Sequence, residues 1–168
     1  MKTLEIVPNG LEEILEYYGD PRGADGKRSR QWYEDNTEVY NLPFQMRLSW
    51  DIETIISKVR AHKKIGPALI DALKEIELKY GAETLERKHL NYYGGIPAWR
   101  NKRGGGELST HCWLIAIDIN PHIGRFGHTE DAITYPQEFV EAFTKRGFVW
   151  GGMWDWPDAQ HFQGASGY

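Results

Sequence analysis

The sequence predicts an α+β fold, a small antiparallel sheet flanked by helices, in a single domain covering residues 1–168. Three observations predict it. Apolar residues recur at helical spacing, with caps and stops, through a helical N-terminal part of about 1–90. Short apolar runs bounded by glycine and proline take over in a motif-bearing part of about 91–163. The chain is long enough to bury a proper core, and no repeat or low-complexity linker divides it.

Taken in order, residues 10–18 predict a short helix, with Asn9 as its cap, Glu12 three residues on and Gly19 after its end. Residues 19–37 are polar and glycine-bearing and read as a loop. "VYNLPFQMRLSW" at 39–50 reads as extended, Pro43 arguing against a central strand. Ser49 is placed to cap a helix over about 51–63, with Ile52, Ile55, Ile56 and Val59 as its apolar face. A second helix begins near Pro67, carries Leu69, Leu73, Ile76 and Tyr80 inward, and stops at Gly81; "AETLERKHL" adds a turn or two. From 91 the chain is turn-rich until a strand beginning after His111. Residues 121–134 read as a loop around Gly124 and Gly127. Pro136 opens a helix with Phe139, Val140 and Phe143 inward and Gly147 beyond its end. "FVWGG" and "HFQ" at 161–163 read as short strands.

Composition excludes several classes. Twenty basic against 24 acidic residues and no basic stripe argue against a nucleic-acid partner. No run approaches the roughly 20 apolar residues of a membrane span. Cys112 is the only cysteine, so no intrachain disulfide forms, and it reads as a small buried residue rather than a nucleophile. The opening "MKTLEIVPNGLEEILEYYG" lacks a long apolar core, so the expectation is cytoplasmic synthesis without a signal peptide, as a monomer.

The chemistry gathers at two places. "STHCWLIAIDIN" puts His111 and Asp118 at the ends of an apolar run, where an unpaired carboxylate is costly. "PDAQHFQ" puts Asp158 three residues before His161. His111, Asp118 and His161 together offer two imidazole nitrogens and a carboxylate, the donor set of a catalytic zinc that keeps one position for water. Residues seven apart on an unbroken strand face opposite ways, so either the chain bends between 111 and 118 or His111 lies in the preceding loop. Asp158 is placed to take a proton from the attacking water, and Arg100 to stabilise an oxyanion or hold a substrate carboxylate. Trp150, Trp154 and Trp156 crowd the second motif. Packing is the first reading of each, and a substrate groove, with Trp154 against the substrate, the functional one. His122 and His128 read as solvated loop residues, and His62 as a helix C-terminal cation.

"LSTHCWLIAIDIN" resembles the Ser-x-His-x-x-Gly-x-Ala-x-Asp motif of the D-alanyl-D-alanine carboxypeptidase/L-alanyl-D-glutamate endopeptidase family of zinc peptidases. "WGGMWDWPDAQHFQ" resembles its second motif, an acidic residue three before the last zinc histidine. "YYGGIPAWRNKRGGGELSTH" resembles the arginine-bearing segment of the phage-endolysin-like branch. The resemblance implies an α+β fold and one zinc ion on His111, Asp118 and His161. It makes Asp158 the general base, Arg100 or Arg103 the carbonyl-polarising arginine, and Ser109 a residue near the substrate. It departs at Leu114, where the family usually has Gly. The activity implied is cleavage of peptidoglycan stem peptides as an L-alanyl-D-glutamate endopeptidase, reaching the wall by holin-type release or in a phage particle. A D-alanyl-D-alanine carboxypeptidase is the alternative, and a non-catalytic wall-binding or structural domain the alternative of another class.

Overall fold

In the computed structural model, the backbone of residues 1–168 and the side chains of all but residues 132 and 133 are described. Helix α1 (Gly10–Tyr18) forms where the spacing places it. Its N-terminal cap differs in one detail, because the Asn9 N–H donates to Glu13 Oε2 at 2.7 Å. Gly19 ends it with φ 79°, a left-handed turn that glycine adopts without strain. The segment read as a loop contains α2 (Arg30–Asn36), capped by the Ser29 hydroxyl, which accepts the Trp32 N–H at 3.2 Å. It buries only Trp32, so no apolar period announces it.

The largest correction lies at residues 51–63. Strands β1 (Thr37–Leu48) and β2 (Asp51–His62) form an antiparallel hairpin, and no helix is present there. The segment is rich in β-branched side chains, Ile52, Thr54, Ile55, Ile56 and Val59, which lose rotamer freedom in a helix and fit a pleated surface. The expected apolar face is not a face at all. Ile52 and Ile55 are exposed, and only Val59 is fully buried. The N-terminal part is thus not helical throughout but holds the two longest strands. His62 ends a strand, not a helix, and lies buried against the Tyr18 and Trp32 rings. Burial pushes its pKa down to about 4, so it is a neutral core residue and not a cation.

Helix α3 (Gly66–Arg87) carries Pro67 in its first turn and buries Leu69, Leu73 and Ile76. At Gly81 the backbone leaves helical angles (φ 68°, ψ 156°), and the chain resumes as the expected extra turns. Helix α4 (Gln137–Thr144) buries Phe139 and Phe143, with Val140 half-buried. Arg146, just past α4, is buried and ion-paired to Asp71 at 2.8 Å and Glu75 at 2.9 Å, which ties α4 to α3.

Four shorter strands complete the sheet: β3 (Tyr92–Gly95), β4 (Ala116–Ile119), β5 (Val149–Trp150) and β6 (His161–Gln163). The six run in the order β2-β1-β3-β4-β6-β5. All neighbours are antiparallel except β1 and β3, which run parallel; α3 leads from β2 to β3 and packs against β1. Hence the fold is α+β, with its sheet larger than the periodicity implies and with α2 gained where the helix over 51–63 is lost. One core unites the elements, with Phe143 stacked on Phe162 of β6 at 4.3 Å between ring centroids.

Candidate metal centre and cleft

β4 and β6 pair so that Asp118 lies directly opposite His161. Cross-strand partners share a face, so the carboxylate and imidazole meet without any further device. His111 reaches them because it is not on the strand. Thr110–Trp113 form a 3₁₀ turn, and Leu114 then takes the left-handed conformation, φ 57°, ψ 34°. That reversal removes the parity problem of a seven-residue spacing. It also gives a physical reason for the glycine common at that position in the motif resembled, since only glycine adopts the conformation freely. Here Leu114 is wholly buried, and its burial offsets strain of about 1–2 kcal/mol.

The ligand atoms converge. His161 Nδ1 lies 2.8 Å and His111 Nε2 3.3 Å from the same Asp118 Oδ1, and the three donor atoms fall within 4.8 Å of one another. The outward ring nitrogens are both anchored. His111 Nδ1 donates to the Ile96 carbonyl at 2.8 Å, and His161 Nε2 donates to Gln163 Oε1 at 3.0 Å. Both acceptors fix the proton on the outer nitrogen and turn a lone pair inward. A lone pair and a carboxylate oxygen 2.8 Å apart repel unless a cation or a proton lies between them. His111 Nε2 is buried and makes no hydrogen bond. An orphaned buried nitrogen beside a carboxylate and a second imidazole fits a divalent metal with a nitrogen-rich donor set.

Beside this group lies a cleft of about 170 Å³. Asp158, His161, Trp154, Arg100 and Arg103 all line it. Gly94 packs so closely on β4 that a Cβ there would stand 2.8 Å from that of Asp118, so the residue cannot be larger. The two motifs of the sequence are therefore one site.

Residues 103–164 match the family model described as D-alanyl-D-alanine carboxypeptidase. The match covers the segment that carries both motifs, less than half of the chain, and is a likeness to that family. No curated protein and no solved structure matches the chain. The matched segment contains His111, Asp118, Asp158 and His161. It begins at Arg103, which leaves Arg100 just outside it.

Electrostatics separate the two carboxylates. Burial opposes the charge of Asp118, but His111 and His161 more than offset it and hold the carboxyl well below the usual range. Burial raises the Asp158 pKa, and the Asp118 charge adds to the rise, while His161, Gln160 and Arg103 oppose it. One carboxyl is held in its ionised form, and the other is pushed toward its protonated form. Arg103 touches this balance and also lies over the Phe126 ring at 4.7 Å. Arg100 is exposed, and its guanidinium donates to the neighbouring Asn101 carbonyl at 3.4 Å.

The remaining expectations sort by position. Ser109 lines the cleft, and its hydroxyl accepts the His111 N–H at 3.4 Å, capping the turn. The Trp154 ring sits 5.4 Å from that of His161. Trp150 is a packing residue, stacked on Phe162 and donating to the Ala159 carbonyl, and Trp156 is exposed. His122 bonds the Ser49 carbonyl and His128 pairs with Glu130, both away from the triad. Burial pushes the Cys112 thiol up, as suits a packing residue.

Sequence reasoning missed Gln163. Its buried Oε1 accepts from His161 Nε2 and from Thr110 Oγ1 at 2.9 Å, while its Nε2 donates to the Ala165 carbonyl at 3.0 Å. Its place two residues after His161 on a strand, hence on the same face, was the available signal.

Proposed function

We propose that this peptidase hydrolyses peptidoglycan stem peptides with one zinc ion, as an endolysin-like L-alanyl-D-glutamate endopeptidase. What carries the reading is the convergence of His111 Nε2, Asp118 Oδ1 and His161 Nδ1 beside a cleft that Asp158 lines. Those three residues would hold the metal. When bound, zinc supplies a Lewis acid that polarises a carbonyl and makes water more acidic.

The chain's own groups do the rest. Asp158, with its raised pKa, takes a proton from the attacking water and returns it to the leaving amine. Arg100 and Arg103 line the same cleft, and their guanidiniums are suited to the negative charge that grows on the carbonyl oxygen. Of the two, Arg103 is favoured, because its charge reaches Asp158 and it lies within the matched segment. Gln163 and the Ile96 carbonyl hold both imidazoles in the tautomer a metal needs. Trp154 and Ser109 border the space for substrate. The partner is the stem peptide, met at the cell wall after holin-type release or from a phage particle, and the protein acts as a monomer.

A second reading, a D-alanyl-D-alanine carboxypeptidase, is favoured by the matched family's description and by a wall of two guanidiniums suited to a terminal carboxylate. Mass analysis of fragments from purified peptidoglycan, with and without chelator, separates the two. New amino-terminal D-glutamate supports the endopeptidase, and loss of terminal D-alanine alone supports the carboxypeptidase. Wall binding without any cleavage overturns both.

A further inference from the structure

The two arginines sit on an excursion of chain from Arg100 to Ser109 that carries three consecutive glycines, Gly104–Gly106. Its two legs bond each other at the base: Ser109 N–H donates to the Arg100 carbonyl at 3.0 Å and Lys102 N–H to the Glu107 carbonyl at 2.8 Å. A loop this rich in exposed glycine needs an outside anchor to hold guanidiniums in place. Tyr168, beyond the family-matched segment, contacts both legs. Its hydroxyl donates to the Leu108 carbonyl at 2.7 Å on one leg, and the Lys102 ammonium of the other sits over its ring at 3.7 Å. The ring is itself held edge-on by the buried Trp113 of the His111 turn, at 6.2 Å between centroids. Lys102 is also drawn to Glu107 at 2.6 Å, which closes the loop around the tyrosine.

We infer that Tyr168 is a positioning residue: it pins the Arg100–Ser109 loop to the His111 turn and so sets where the arginines stand in the cleft. This rests on the proposed function only for its catalytic consequence. The mechanical part stands alone, because Lys102 and Arg103 make the loop cleavable by trypsin. Tyr168→Ala should speed trypsin cleavage after these two residues about tenfold, a loss of local protection. Tyr168→Phe, which keeps the ring under Lys102 and loses the hydroxyl, should fall between. Cleavage after Arg87 and Lys88, both exposed where α3 ends, serves as the internal control. Equal rates at Lys102 and Arg103 in wild type and Tyr168→Ala overturn the pinning, as does an equal speeding at the control sites.

The catalytic part is read by a double-mutant cycle. Tyr168→Ala should lower kcat on a stem peptide about tenfold with metal content unchanged, and Tyr168→Phe should recover part of it. In an Arg100→Ala/Arg103→Ala background the same change should cost less than about twofold, since coupled residues are not additive. Full additivity overturns the role assigned to Tyr168. If wild type hydrolyses no stem peptide, the functional reading fails while the trypsin result still decides the pinning.

Discussion

At one end of the sheet, β1 and β2 run side by side for twelve residues each, and their outer half stands clear of the core with Trp50, Ile52 and Ile55 exposed. At the other end, β4, β6 and β5 are four, three and two residues long; β6 is wholly buried, β4 is buried but for the half-buried Asp118, and β5 is half-buried. The long ribbon is defined by its ladder of backbone hydrogen bonds. The short strands have too few such bonds to fix an angle, and the chemistry nevertheless lies there. Buried side chains supply the missing constraints. Tyr93 Oη accepts from the Ile96 N–H at 2.7 Å, the Ile96 carbonyl holds His111, Tyr135 Oη donates to the Ile119 carbonyl at 2.6 Å, and Gln163 ties Thr110 to His161. Precision at this end depends on individual polar contacts, so single substitutions there should alter function, whereas substitutions in the ribbon should alter stability or nothing.

The sharpest test of that division is Asp158→Asn. It should leave metal bound, by elemental analysis, and lower stem-peptide hydrolysis by about 10²–10⁴, the usual cost of a lost general base. Metal loss in this variant, with metal kept in Asp118→Asn, would exchange the roles of the two carboxylates.

The ribbon end responds to pH through His62. The unfolded chain takes up a proton on this histidine near pH 6.5, while the folded chain does so only near pH 4. The unfolded state therefore binds more protons in between, and stability falls as pH drops through that window. The loss reaches about 3 kcal/mol at its lower edge and is absent above the unfolded value. Urea titrations between pH 7 and 4 should show that slope in wild type and a shallower one in His62→Gln. Parallel slopes would contradict a buried neutral histidine.

Gln163→Met should separate site from scaffold again. Losing the orienting acceptor of His161 should weaken metal affinity about 10–100-fold, with a change in melting temperature of a few degrees or less. An unchanged metal affinity would show that β6 alone orients the ring. The smallest effect belongs to the exposed ribbon, where Ile55→Thr should shift stability by no more than about 0.5 kcal/mol and leave hydrolysis alone.

Much of the site was legible because its residues carry their own argument: an aspartate and a histidine bounding an apolar run need a partner, and His161 with Asp158 supplied it. Helices α1, α3 and α4 were legible through caps, proline and spacing, all local signals. β2 was not, because Ile52, Ile55, Ile56 and Val59 satisfy a helical period while their branching favours a strand, and the deciding contact is with β1. α2 was not, because a helix that buries one tryptophan has no periodicity. Gln163 was not, because its role exists only once β6 brings it beneath His161 and the turn at Thr110 descends on it. The choice between Arg100 and Arg103 depends on how a glycine-rich loop folds back, which spacing does not encode.

The outer side of β2 has one more consequence. It is the edge of the sheet, and among the described residues no strand pairs with that side. An edge bearing Ile52 and Ile55 is a template on which another polypeptide in extended form can add, the first step toward insoluble cross-β assemblies. The strand carries Asp51, Glu53, Lys58 and Arg60 along the same stretch, charges that an incoming strand would have to desolvate or oppose. Charges so placed oppose such addition, and replacing Glu53 and Lys58 with valine should make the protein precipitate at a lower concentration than wild type, with metal affinity unchanged.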